Sequence, residues 1–148
     1  MKFAVAAEHG GFTLLQPVID ALMALGHEPI LVGPATYVPH DDYPDIAEAV
    51  GRAIQSGTAE RGVLICGSGV GVTIAANKMV GVRACVCHDL YSAAQGVEHD
   101  DMNVLCLGGR VISPELAAEL VRAFAGAQFN AAERFVRRLS KVAALEHR

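Results

Sequence analysis

The sequence predicts an α/β protein: a doubly wound, five-stranded parallel sheet with helices on both faces and an extra helix at the C-terminus. Two observations carry this. Short apolar runs alternate with longer stretches of helical period, the order expected of successive βα units. The runs are also nearly continuous in apolar character, as strands covered on both faces must be. They place strands at residues 3–7, 30–32, 62–66, 83–87 and 104–107. The helical period predicts helices over 13–25, 46–56, 72–78, 91–98 and 114–125. Gly26 and Gly57 follow the first two, where a helix C-terminus favours glycine. Ser113, Pro114 and Glu115 supply the cap, first-turn proline and first-turn acid of a helix start. A last helix over 131–146 has no strand after it. It carries Arg134, Arg137, Arg138 and Lys141 alongside Phe135, Val136, Leu139, Val142 and Leu145. An amphipathic helix with nothing further to cover in its own chain is expected to pack on a partner subunit. With no repeat or linker, residues 1–148 read as one Rossmann-like domain.

Composition narrows the function. Of the 148 residues, 52% are apolar and 19% charged, which excludes a disordered chain. The formal net charge of −4 argues against a nucleic-acid partner, which would favour a basic excess. No apolar run is long enough to span a membrane and no signal-peptide pattern opens the chain, so a soluble, cytoplasmic protein is expected. The cysteines are Cys66, Cys85, Cys87 and Cys106. All but Cys66 read as small buried hydrophobes. No CxxC or HxxxH pair offers metal-ligand spacing, so no metal is expected.

In an open parallel sheet, ligands bind beyond the carboxyl ends of the strands. There the sequence sets Glu8 and His9 after the first strand, and Cys66-Gly67-Ser68-Gly69-Val70-Gly71 after the third. His88 and Asp89 follow the fourth, and Gly108, Gly109 and Arg110 the fifth. His99, Asp100 and Asn103 fall in the turn expected just before the fifth strand. The loop after Cys66 carries the most information. Glycines at alternate positions between strand and helix let backbone N–H groups converge on an anion, and the helix adds the positive end of its dipole. A thiol at the head of that loop feels the same field, which makes Cys66 a candidate base or nucleophile. Other loop chemistries lack required groups. A dinucleotide loop needs GxGxxG after the first strand, a Walker loop ends in Gly-Lys-Ser/Thr, and a cysteine-phosphatase loop needs arginine where Val72 stands.

Longer motifs point to a known family. They comprise Glu8-His9-x-Gly11, Asp42-Tyr43-Pro44-Asp45, the CGSGVG…AANK block, Gly81-Val82-Arg83-Ala84 and Asp89-Leu90-Tyr91-Ser92-Ala93. Next come His99 with Asn103-Val104-Leu105, Gly108-x-Arg110-Val111 and Arg134…Arg138…Lys141. The sequence resembles, nearly end to end, the ribose-5-phosphate isomerase B family, which includes the galactose-6-phosphate isomerase subunits. The resemblance implies aldose–ketose isomerisation of a phosphorylated sugar through an enediolate, without metal or organic cofactor. It makes Cys66 the group that moves a proton between C1 and C2, with the amides of Gly67, Gly69, Val70 and Gly71 as anion hole. It gives Ser68 a sugar oxygen and His99 the opening of the furanose ring. It assigns the phosphate to His9, Arg110, Arg134 and Arg138, the last two reaching a neighbouring subunit's site in a homodimer or homotetramer. Tyr43 either covers the substrate or packs beside Pro44.

The chain departs from the family pattern at the sugar end. Glu8 replaces the usual aspartate, and Asp100 the usual asparagine, exchanging an amide donor for a group that only accepts when ionised. Leu15 and Phe135 stand where the family has lysine and histidine. The resemblance makes ribose 5-phosphate and ribulose 5-phosphate the expected substrate pair, and the changes at Glu8 and Asp100 make a tetrose, branched pentose or hexose 6-phosphate the alternative. A non-catalytic phosphosugar-binding module is the second alternative.

Overall fold

The computed structural model describes residues 1–147. The strands are β1 (Lys2–Ala7), β2 (Glu28–Leu31), β3 (Arg61–Cys66), β4 (Ala84–Val86) and β5 (Val104–Gly108). The helices are α1 (Leu15–Ala24), α2 (Tyr43–Gln55), α3 (Val70–Ala76), α4 (Leu90–Asp100), α5 (Pro114–Gly126) and α6 (Glu133–Ala143). Short 3₁₀ segments lead into α1 (His9–Leu14) and follow α6 (Ala144–His147). The strands form one parallel sheet in the order β2-β1-β3-β5-β4.

Alternate residues of the central strands bury opposite faces, as a pleat requires. Phe3, Val5, Val63, Ile65, Leu105 and Leu107 pack under α1, α4 and α5. Ala4, Ala6, Leu64, Cys66 and Cys106 pack under α2 and α3. Helix ends follow the local chemistry. Gly26 and Gly57 take φ of 76° and 72°, where a side chain would be strained. Ser113 accepts from Leu116 N–H, and Asp89 from Ser92 N–H, as N-caps of α5 and α4. No helix among the described residues is long and apolar enough to cross a membrane.

Expectation and structure differ at the edges. β2 and β4 are the outer strands and neither is covered throughout. β2 admits Pro29, which lacks the N–H that a strand paired on both sides would use. Cys85, expected buried, is exposed on β4, while Cys87 and Cys106 are buried. α3 opens at Val70, inside the glycine loop, because Gly69 turns the chain at φ 82°. α4 runs on to Asp100 and is stopped by Asp101 in the left-handed region. His99 and Asp100, expected in a turn, therefore form its final turn.

β2 lies on one side of β1 and β3 on the other. The connections diverge there, opening a crevice at the carboxyl ends of β1 and β3. Glu8 and His9 leave one strand at that point and Cys66 ends the other.

Candidate active site

A cavity of about 520 Å³ fills this crevice, lined by Glu8, His9, Asp41, Asp42, Tyr43, Cys66, Gly67, Ser68, Gly71, Arg110 and Val111. Its floor is the glycine loop. Gly109 N–H donates to Cys66 O (2.8 Å) and Arg110 N–H to Gly67 O (3.0 Å), which lays the end of β5 against the end of β3. A Cβ on Gly69 would come within 2.8 Å of Val86 Cγ2, so space as well as φ requires glycine there. A Cβ on Gly71 would stand 3.1 Å from the Tyr43 ring, which therefore lies across the first turn of α3. Tyr43, with one edge on the loop and 45% of its surface exposed, forms a wall of the cavity.

The loop amides do not all face the cavity. Gly67 N–H donates to Glu8 Oε1 (3.0 Å), Gly69 N–H to Cys66 Sγ (3.0 Å) and Val70 N–H to Ser68 Oγ (3.2 Å). Three of the four amides expected to form the anion hole thus have partners inside the protein. Ser68 N–H has no protein acceptor among the described residues. Gly71 sits in the first turn of α3, where helical N–H groups lack one. Because Ser68 Oγ already accepts from Val70, its hydroxyl hydrogen is free to donate to a sugar oxygen. The N–H aimed at Cys66 Sγ stabilises negative charge on that sulfur. Among the other thiols, burial pushes Cys106 up to about 12, and the Cys85 contact, followed by burial, raises Cys87. Cys85, hydrogen-bonded by the Cys87 thiol, falls to about 6 but lies on β4, outside this cavity.

The Glu8 carboxylate is turned inward, not toward a sugar. It is 6% exposed, and Oε1 also accepts from Gly10 N–H (3.0 Å), capping the 3₁₀ turn. Its other oxygen lies 2.6 Å from His9 Nδ1. Asp41, which the sequence reading passed over, accepts from both His9 N–H (2.9 Å) and His9 Nδ1 (2.8 Å). Carboxylates only accept, so Nδ1 carries a proton and Nε2 is left for a ligand. Glu8, His9 and Asp41 each offer one ligand atom within 4.8 Å of the others, a cluster that no sequence spacing displays. In the structure these atoms hydrogen-bond to one another. The signal that would have pointed to Asp41 is the run Asp41-Asp42 before Tyr43, which the longer motif obscured.

His88, at the end of β4, accepts from Gly108 N–H through Nε2 (3.0 Å), and burial lowers its pKa. It steadies the turn after β5.

The remaining expected residues form a second cluster. The His99 ring stacks on Phe135 with centroids 4.3 Å apart and planes at 18°. The guanidinium carbons of Arg134 and Arg138 lie 4.6 and 6.0 Å from the same ring. Asp100 and Arg138 line a separate groove of about 690 Å³ between β4, α4 and α6. Within one chain this cluster and the Cys66 cavity occupy opposite ends of the sheet. Asn103 O accepts from Gly62 N–H at the foot of β3, whereas Cys66 pairs with Gly108 at its head. The 5 residues of β5 between them span about 16 Å. Grouping His99 and Asp100 with Cys66, as the sequence suggests, is not what a single chain does.

Comparison with known proteins agrees with this architecture. A sequence profile described as Ribose/Galactose Isomerase matches residues 3–142. The chain belongs to the ribose/galactose isomerase family. Ribose-5-phosphate isomerase B of Escherichia coli (strain K12) is 41% identical over 99% of this chain and 97% of its own. D-erythrulose-4-phosphate isomerase of Pectobacterium atrosepticum is 38% identical over 87% of this chain and 85% of its own. The crystal structure of ribose-5-phosphate isomerase B from Mycoplasma genitalium with bound ribulose-5-phosphate superposes with a TM-score of 0.92. The two are 34% identical, and the match covers 99% of this chain and 96% of that one. Family members of this kind are isomerases, and so is this chain.

Proposed function

We propose that the protein interconverts ribose 5-phosphate and ribulose 5-phosphate in the cytoplasm, through an enediolate formed by proton transfer at Cys66. One observation carries the reading: a buried thiol at the head of the glycine loop receives an N–H on sulfur. It shares its cavity with the Ser68 hydroxyl, His9 and Arg110. That is a base with its developing charge stabilised, a donor for a sugar oxygen, and two groups for a phosphate. The N–H groups of Ser68 and Gly71 are the donors for the enediolate oxygen. Arg110 has no carboxylate partner among the described residues, so its charge is available to the substrate.

Ring opening by His99 and phosphate anchoring by Arg134 and Arg138 come from a second copy of the chain in this reading. A phosphopentose is far shorter than the span between the two clusters. A twofold dimer sets the basic end of one subunit against the cysteine end of the other, twice over. Exposed apolar side chains on α3 and at the start of α4, including Val70, Ile74, Leu90 and Tyr91, support such a contact. Asp100 then arrives beside His99, near Arg138, whose charge offsets its own.

A tetrose phosphate is the second reading, favoured by the erythrulose-4-phosphate relative. Incubation with ribose 5-phosphate in deuterated water tests the first. Deuterium at C2 of recovered aldose together with formation of ribulose 5-phosphate is expected. Binding without exchange would identify a phosphosugar-binding module, and exchange confined to erythrose 4-phosphate would select the tetrose.

A further inference from the structure

We propose that Phe135 is a positioning residue that holds His99, Arg134 and Arg138 as one preformed unit. The inference rests on the roles just assigned to those three residues. Phe135 is the one buried residue of α6, at 2% exposure, on a helix whose neighbouring positions face outward. Its ring is where the three functional side chains meet: the imidazole lies nearly parallel at 4.3 Å, and the guanidinium carbons lie at 4.6 and 6.0 Å. On the other side, Gln95 Nε2 lies 2.9 Å from His99 Nδ1, which leaves Nε2 as the ring nitrogen for a substrate.

The physical reason for an aromatic residue here is twofold. A flat ring fixes the tilt of the imidazole through stacking, which an aliphatic side chain of equal volume does not. The π face attracts both guanidinium groups, so two long, exposed side chains are already gathered before a phosphate arrives. Gathering them in advance lowers the ordering cost of binding. Phenylalanine is also uncharged at every pH, so two cations converge on it without repulsion. Arg134 and Arg138 have no carboxylate within ion-pair distance among the described residues, so the ring is the contact that orients them.

The test uses the full-length protein with Phe135→Leu, which keeps the buried site apolar, and Phe135→His, which keeps a flat ring. Kinetic parameters on ribose 5-phosphate are normalised to the folded fraction, and the His99 ring protons are followed by NMR. For Phe135→Leu we expect KM to rise about tenfold and kcat to fall about tenfold, as cation–π and stacking contacts are lost. The His99 ring protons should move downfield as the ring current disappears. Phe135→His should restore kcat to within about threefold of wild type, since the stack persists. Wild-type kcat and KM in Phe135→Leu, with an unmoved His99 resonance, would overturn the proposal. His99→Ala separates the two levels. If it loses activity while Phe135→Leu does not, the positioning role alone is wrong. If His99→Ala turns over normally, the functional reading of His99 fails, and the His99 resonance then decides whether the stack exists.

Discussion

Replacing Cys66 by alanine gives the sharpest test of the chemistry. Cys66 is 5% exposed, and its sulfur makes one directed contact, accepting from Gly69 N–H at 3.0 Å. Trimming it removes the proton-transfer group, expected to lower kcat by two to four orders of magnitude, or about 3–5 kcal/mol of barrier. The fold should lose far less. One hydrogen-bond acceptor and a sulfur-sized volume are worth about 1 kcal/mol, a fall of roughly 2–4 °C in Tm at this size. Serine separates the two effects. Its hydroxyl can accept from Gly69, so stability should recover, yet it is a much weaker base and kcat should stay low. The assay is initial rate on ribose 5-phosphate beside thermal melting. Alkylation is a poor substitute, because exposed Cys85, with its pKa near 6, would react as well. Wild-type turnover in the alanine variant, or recovery of rate by serine, would refute Cys66 as the base.

Two further outcomes follow from the geometry. Mixing inactive Cys66→Ala and Arg138→Ala proteins and allowing subunits to exchange should restore activity, since half of the dimers carry one intact composite site. The expected recovery is about a quarter of the wild-type rate, and none at all after demonstrated exchange would place the site within one chain. Asp41→Ala should raise KM about tenfold with kcat within about threefold, because His9 loses one of the two carboxylates at Nδ1 and the acceptor of its backbone N–H; an unchanged KM would make Asp41 structural only.

The family, the sheet and the cysteine loop were legible in the sequence because each is written in contiguous residues. Apolar runs marked the three central strands, since those are covered on both faces and have no polar positions to confuse the period. Gly26, Gly57 and Ser113 marked helix ends because the dihedral angles and caps there are local demands. The edge strands were less legible: β2 and β4 are open on one side, so their burial is set by neighbours that the period cannot see. The same is true of Cys85, whose exposure follows from its strand's place in the sheet order.

What only tertiary structure decided is which functional residues meet. Glu8 looks in sequence like a sugar-facing acid, yet two backbone N–H groups and His9 already occupy its oxygens. Asp41 lies 32 residues from His9 along the chain and is joined to it only because the loop after β2 returns over the crevice. Gly69 and Val70 give their amides to the loop's own side chains and Gly67 gives its amide to Glu8, a pattern set by turn geometry and by the neighbouring strand end rather than by glycine spacing. His99 and Cys66 are separated by the length of β5, because α4 carries the chain back to the sheet's amino edge before that strand begins. A parallel fold always returns its helices to the far end. A sequence can therefore name both halves of such a site, while the distance between them is a property of the packed sheet.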